Sequence, residues 1–141
     1  MSPESFLEEA KFIARRSKDP STKVGAIAID DDYNILALGY NGFPRGVKDT
    51  EERLCHRPTK IALTVHAEAN LIAASARTGR KLAGATLIVS SLFPCNVCAG
   101  LIAQAGIKRV IAPAIDNERW RESNLMAKAI FEEAGVEVVE L

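Results

Sequence analysis

A pair of cysteines separated by two residues is the first feature of this sequence that could carry chemistry. Cys95 and Cys98 lie in the segment Pro94-Cys95-Asn96-Val97-Cys98, at the start of a predicted helix that follows a predicted strand. The two sulfurs share one face of that helix, and a helix N-terminus favours the thiolate form that binds metal. The same spacing near a βαβ pattern is also typical of redox proteins. This motif alone leaves a metal site and a redox site equally open.

A histidine and a glutamate supply the second part of a possible site. His66-Ala67-Glu68 begins another predicted helix, directly after the apolar residues 61–65. Helices that follow strands in an open α/β sheet start at the carboxyl edge of the sheet, where ligands usually bind. We therefore expect His66 to meet the two cysteines there. One imidazole and two thiolates form a catalytic zinc set with an open fourth position for water.

The order of the two motifs is itself informative. His-x-Glu followed by Pro-Cys-x-x-Cys is the pattern of zinc-dependent nucleobase deaminases, in which the glutamate moves protons without binding the metal. Glu68 follows His66 by two positions, so in a first helical turn it can point at the metal-bound water. Taken singly, His66 would most often be a buried core histidine, and the cysteine pair a structural half-site or inert thiols. Together the motifs favour catalysis at zinc.

Predicted elements must bring these helix starts together. Apolar spacing predicts a helix over residues 2–17, with Ser5 and Glu8 as a capping box. Residues 24–29 and 35–40 predict a hairpin, and residues 42–60, rich in charges and turn residues, predict a long loop that binds ligand or acts as a lid. The remaining chain alternates: helix 66–79, strand 85–90, helix 95–105, strand 109–115, helix 121–134 and strand 136–141.

Alternating strands and helices favour a mostly parallel sheet covered on both faces. We predict an α/β fold, a three-layer αβα sandwich around a five-stranded mixed sheet, with the first hairpin strand as the antiparallel exception. In the helix over residues 121–134, Leu125, Ala129 and Ile130 are expected to face inward.

Length and composition narrow the class of protein. The 141 residues fit a single domain over residues 1–141. A composition of 48% hydrophobic and 26% charged residues is a poor fit to disordered, collagen-like and coiled-coil proteins. Lys+Arg 18 against Asp+Glu 18 leaves no net charge, which disfavours nucleic acid and anionic membranes as partners. No segment is a candidate membrane span or signal peptide. An odd number of cysteines argues against a disulfide framework, so we expect a cytoplasmic protein.

Several segments resemble the cytidine deaminase-like superfamily and, within it, the deoxycytidylate (dCMP) deaminases. They are residues 19–26, the glycine-rich residues 39–46, the two zinc motifs at 65–70 and 92–99, and residues 105–107. The resemblance implies zinc ligands His66, Cys95 and Cys98, with Glu68 as proton shuttle. It implies hydrolysis of dCMP to dUMP with release of ammonia.

The resemblance also implies substrate contacts and assembly. Asn41 would hydrogen-bond the sugar, whereas the pyrimidine would meet Val24, the backbone N–H of Ala67, and the segment Ser91-Leu92-Phe93. Family members are commonly homo-oligomers, here a hexamer or a dimer. They bind dCTP as activator and dTTP as inhibitor, with Mg²⁺, near the glycine-rich loop.

Two regions depart from the family pattern. Residues 117–122 lack the tyrosine-containing stretch that helps to hold a 5′-phosphate in dCMP deaminases. Arg119 or Arg121 could substitute, because guanidinium groups bind phosphate well, and either could equally be part of a solvated helix start. Trp120 could stack on a base or pack in a core or interface. Cys55 and His56 lack the partners that a second, structural zinc would need.

Other functions remain open at this stage. The base could be cytidine, dCTP, a guanine-type purine or the adenosine of a transfer RNA, although the last would need a basic surface. A non-catalytic zinc- or nucleotide-binding subunit has no use for Glu68. A redox protein leaves His66-Ala67-Glu68 unexplained.

Overall fold

A five-stranded mixed sheet organises the chain, in the order β2-β1-β3-β4-β5. Its strands are β1 (Gly25–Ile29), β2 (Ile35–Tyr40), β3 (Thr86–Val89), β4 (Arg109–Ala112) and β5 (Glu137–Glu140). β1 is antiparallel to both of its neighbours, whereas β3, β4 and β5 are parallel. The computed structural model describes all residues from 1 to 141. It confirms the predicted mixed sheet and its antiparallel exception.

Helices cover both faces of this sheet. They are α1 (Leu7–Ala14), α2 (Glu51–Cys55), α3 (Arg57–Leu63), α4 (Ala67–Thr78), α5 (Asn96–Gln104) and α6 (Arg121–Ala134), with short 3-10 turns at Pro3–Phe6 and Glu118–Trp120. On one face α1 buries Ile13 against Ile27 of β1. On the other face α4, α5 and α6 bury Leu71, Ile102 and Phe131. The three-layer αβα sandwich is confirmed. No helix combines the length and the apolar character needed to cross a membrane.

Helix α4 approaches strand β2 closely at Gly39. A Cβ atom at that position would lie 2.6 Å from the carbonyl oxygen of Ala67 and 2.7 Å from the amide nitrogen of Leu71. Both distances are far inside van der Waals contact, so only a residue without a side chain fits. The contact therefore fixes how deeply the first turn of α4, which follows His66, sits against the sheet.

The prediction of a long loop over residues 42–60 is wrong, because α2 and the first part of α3 lie within this range. Thr50 caps α2 by accepting a hydrogen bond from the N–H of Arg53. Pro58 lies in the first turn of α3, where a proline costs no intrahelical hydrogen bond. The apolar residues before His66 belong to the end of α3, which stops at Leu63, and Val65 makes an isolated bridge with Gly42.

Two details of the predicted helices are also wrong. Ser5 lies in the 3-10 turn and donates its hydroxyl to the carbonyl oxygen of Ser2, so no capping box forms with Glu8 at the start of α1. In α6 the inward residues are Asn124, Ala127 and Phe131, whereas Leu125 and Ala129 are exposed and Ile130 is half-buried. The apolar residues of α6 form two adjacent stripes, and the structure buries the stripe that contains Asn124.

Candidate active site

The starts of α4 and α5 bring one histidine and two cysteines together. His66 precedes α4 as its N-cap residue, Cys95 holds the same position before α5, and Cys98 lies in the first turn of α5. The Nδ1 atom of His66 is 3.4 Å from the sulfur of Cys95 and 3.6 Å from that of Cys98. Zn–N and Zn–S bonds at tetrahedral angles separate such atoms by about 3.6 Å. The three side chains therefore fit a zinc ion.

The two thiols lie in different electrostatic surroundings. A hydrogen bond from the Cys98 thiol and the adjacent imidazole hold the pKa of Cys95 at about 4, against the effect of burial. The pKa of Cys98 is raised, first by the hydrogen bond with Cys95 and then by burial. The backbone N–H of Cys98 also donates to the sulfur of Cys95 at 3.4 Å. These surroundings favour the thiolate form of Cys95, and thiolates are the form that binds zinc.

Glu68 is buried beside this group of ligands. Glu68 is 5% exposed, and it lines a cavity that His66 and Cys95 also line. Burial raises the pKa of Glu68 to about 7. A carboxyl group that titrates near neutrality can both accept and return a proton in that range. Its position two residues after His66 places it near the metal without making it a ligand.

A cavity of about 300 Å³ opens from the metal ligands. That volume is sufficient for a small ligand. Five of the residues predicted to contact substrate line it: Val24, Asn41, Ala67, Leu92 and Phe93. Ser91 lies outside the lining, and its hydroxyl donates to the carbonyl oxygen of Lys23.

Asn41 is buried and links two parts of the cavity wall. Its Oδ1 atom accepts a hydrogen bond from the N–H of Val24, and its Nδ2 atom donates to the carbonyl oxygen of Thr22, both at 2.9 Å. An amide side chain has a second N–H and further lone pairs. Asn41 can therefore hold the loop before β1 and still offer polar atoms to a ligand.

Comparison with known proteins agrees with this geometry. The family model for the cytidine and deoxycytidylate deaminase zinc-binding region matches residues 1–114. The deoxycytidylate deaminase of Mus musculus is 39% identical over 142 residues, which span 95% of this chain and 76% of that protein. The chain belongs to the cytidine and deoxycytidylate deaminase family. It is a zinc-binding deaminase, a hydrolase of carbon–nitrogen bonds in cyclic amidines.

Two further relatives resemble this deaminase along nearly its whole length. An uncharacterized deaminase of Aliivibrio fischeri is 38% identical over 136 residues, covering 94% of this chain and 88% of that protein. The crystal structure of dCMP deaminase from cyanophage S-TIM5 with dCMP and dUMP has a TM-score of 0.81 and 28% identity, covering 100% of this chain and 99% of that one.

Sequence reasoning missed one wall of the deaminase cavity. Arg57, Lys60 and Ile61 of α3 line it, together with Asp19 and with Thr64, the residue that follows α3. Lys60 is buried and lies 3.0 Å from Asp19. The only local signal for this wall is helical spacing, at positions 57, 60, 61 and 64. The many charged residues around these positions favoured the prediction of a loop instead of a helix.

Asp19 connects Lys60 to the loop that Asn41 holds. Its Oδ1 atom accepts hydrogen bonds from the N–H groups of Ser21 at 2.8 Å and Thr22 at 3.0 Å, as well as from Lys60. Burial opposes ionisation of Asp19, but these hydrogen bonds and the ammonium charge outweigh it, so its pKa lies below the usual range. One charged pair thus joins α3 to the loop before β1.

The segment before α6 contributes Arg119 and Trp120 to the lining, whereas Arg121 lies outside it. The rings of Trp120 and His66 meet edge to face with centroids 5.9 Å apart. Trp120 also packs against the main core. It therefore contacts both the core and the metal site.

Asn124 of α6 is a positioning residue without a sequence signal. Its buried amide donates to the carbonyl oxygens of Phe93 and Pro94, both at 3.0 Å. These two residues directly precede Cys95. The hydrogen bonds thereby hold the chain that leads into the metal site.

Cys55 and His56 do not belong to the group of metal-ligating side chains. Cys55 is exposed, and the imidazole of His56 bonds the hydroxyl of Thr59 at 2.8 Å. The group formed by His66, Cys95 and Cys98 is the one cluster of metal-ligating side chains in the protein.

Proposed function

We propose that this deaminase hydrolyses dCMP to dUMP with release of ammonia. The observation that carries the proposal is that buried Glu68 shares one cavity with His66 and Cys95. The relatives support the choice of base, since those of Mus musculus and of cyanophage S-TIM5 are deoxycytidylate deaminases.

Zinc held by His66, Cys95 and Cys98 would supply a Lewis acid that lowers the pKa of water toward neutrality. Glu68 would take a proton from the attacking water and give it to N3 of the pyrimidine, which makes C4 electrophilic. Glu68 would then take the second proton of that water, now on the hydroxyl group at C4, and give it to the 4-amino group, so that the C4–N bond breaks, ammonia leaves and the C4 carbonyl forms. The balance is dCMP plus water to dUMP plus ammonia.

The remaining residues of the cavity would position the base and the sugar. We assign the sugar contact to Asn41, which retains free polar atoms beside Val24. The N–H of Ala67 lies in the first turn of α4, where helical N–H groups have no partner within the helix. That donor, with Leu92 and Phe93, would meet the pyrimidine. Ser91 would act through the backbone that it holds.

Ammonia release from zinc-loaded protein tests the proposal directly. We expect turnover with dCMP and much less with cytidine, dCTP or guanine at equal concentration, with one zinc per chain by metal analysis. Preference for guanine or for the free nucleoside cytidine would overturn the assignment. Release from none of these compounds by fully loaded protein would leave a zinc-binding subunit as the alternative.

Three further expectations accompany this function. They are regulation by dCTP and dTTP with Mg²⁺, assembly as a hexamer or dimer, and a cytoplasmic location. Exposed apolar residues, among them Phe12, Val97, Leu125 and Met126, are compatible with contacts between copies. All three stay predictions.

A further inference from the structure

An apolar groove lies on the face of the sheet that α1 covers, away from the metal ligands. It runs between α1 and the edge strand β2, and its lining includes Phe12, Ile35 and Leu38. These three side chains are 61%, 44% and 36% exposed. Apolar residues that share one exposed groove, unlike single ones, mark a place where another surface packs. We call this surface the α1 groove.

Phe12 stands at the centre of the outer face of α1. The helix buries its opposite side, at Ala10 and Ala14. Arg15 and Arg16 continue the helical turn through backbone hydrogen bonds to residues three positions earlier. Residues three and four positions apart are neighbours on a helix. The residues three and four positions before and after Phe12 therefore share its exposed face.

The charges on this face are arranged symmetrically about Phe12. Glu8 and Glu9 lie four and three residues before it, and Arg15 and Arg16 lie three and four residues after it, all four exposed. In two antiparallel helices related by a two-fold axis at Phe12, the residue n positions after it in one copy faces the residue n positions before it in the other. Glu9 would then face Arg15 of the second copy, and Glu8 would face Arg16 of the second copy.

The helix dipole accounts for only part of this arrangement. Acidic residues near the N-terminus and basic residues near the C-terminus stabilise any helix, but the dipole explains neither an exposed aromatic side chain between them nor the groove beside it. Glu8 has one ion-pair partner, the exposed Lys11 at 3.5 Å. Glu9, Arg15 and Arg16 belong to none of the ion pairs of the protein. Three of the four charges are thus available to a second copy.

We propose that a second copy of this chain docks on the α1 groove, with its α1 antiparallel and a two-fold axis at Phe12. The two Phe12 rings and the two grooves would bury each other's apolar surface, and the facing charges would set the register. Charge complementarity selects a second copy as the occupant, because the same four charges match themselves when the helix is reversed. The interface does not depend on the proposed deamination, since α1 and α4 pack on opposite faces of the sheet.

Sedimentation velocity over about 1 to 100 µM protein measures this association without turnover. We expect the unchanged protein to form a dimer or a larger even assembly. Phe12→Ser should raise the dissociation constant about 10-fold or more, because an aromatic side chain at the centre of an interface contributes much of the affinity. Circular dichroism and the thermal midpoint show whether the variant keeps its fold.

Charge reversal tests the identity of the partner. Arg15→Glu combined with Arg16→Glu makes the outer face of α1 wholly acidic, and Glu8→Arg combined with Glu9→Arg makes it wholly basic. Each double variant alone should associate about 10-fold or more weakly, because like charges then face each other. An equimolar mixture of the two should associate as the unchanged protein does, since every facing pair is again of opposite charge.

The matched control changes the net charge equally at another surface. Arg77→Glu combined with Arg80→Glu reverses two exposed charges at the end of α4 and should leave the dissociation constant unchanged. A monomeric unchanged protein would overturn the proposal and leave the groove to a different partner. An unaltered constant in Phe12→Ser, an equal loss in the control, or a mixture that associates no better than its components would also overturn it.

Discussion

The two halves of the active-site cavity are held in different ways. The metal half, made of His66, Glu68, Cys95 and Cys98, is positioned by the starts of two helices. The α3 half, made of Asp19 and the lining face of α3, is positioned by a buried ion pair between long or polar side chains. We therefore expect substitution of Glu68 to change activity more than stability, and loss of the Lys60–Asp19 pair to change stability first.

Glu68→Gln should give the largest effect in the metal half. The substitution keeps the shape of the side chain but removes its ability to carry a proton, which typically contributes about 10²- to 10⁴-fold to the rate. We expect kcat to fall in that range while zinc content and thermal midpoint stay near those of the unchanged protein. Substantial turnover at full zinc occupancy would show that another group moves the proton.

Lys60→Met should act on the α3 half through stability. The pair of Lys60 with Asp19 is nearly buried, with side chains 11% and 10% exposed. The substitution leaves the carboxylate of Asp19 nearly buried without an opposite charge. We expect a loss of about 2–3 kcal/mol in the free energy of unfolding, measured by urea titration. Zinc content of the folded protein should not change.

A neighbouring pair provides the control. Lys18 and Asp49 lie 3.1 Å apart on the surface, with side chains 68% and 43% exposed. Lys18→Met should cost less than about 1 kcal/mol, as exposed pairs usually do. Equal losses in Lys60→Met and Lys18→Met would remove the distinction between the two halves.

The pH dependence of stability gives the smallest effect. The pKa of Asp19 is lowered in the folded protein, so its contribution is fully present above the pKa of the unfolded chain and is lost as pH falls through the lower folded value. Between about pH 5 and pH 3, the stability of the unchanged protein should therefore converge on that of Asp19→Asn. Urea midpoints measured across this range provide the check. A constant difference between the two proteins would show that Asp19 titrates normally.

The metal half was predictable because its signals are local. A histidine and a cysteine at helix N-caps, a proline before the second motif, and left-handed glycines at Gly79 and Gly135 mark where helices start and end. These signals predicted α4, α5 and α6 to within one or two residues. The residue types of His66 and of the two cysteines specified the metal.

The α3 half was not predictable because its defining contact is non-local. Lys60 and Asp19 are 41 positions apart, and neither shows in its own neighbourhood that it will be buried. The helix that carries Lys60 is short and begins beside a proline, so charge and proline content suggested a loop. Asn124 was not predicted to be buried for a related reason. A polar side chain is expected to face solvent, and the carbonyl groups that it binds in the core come from a distant part of the chain.

The close approach at Gly39 couples a position in the sheet to the chemistry at the start of α4. Because the backbone of α4 occupies the space of any side chain there, a side chain at position 39 would push the first turn of α4 away from the sheet. Glu68 lies in that turn, so a substitution in β2 that touches no ligand would displace the proton shuttle from the cavity.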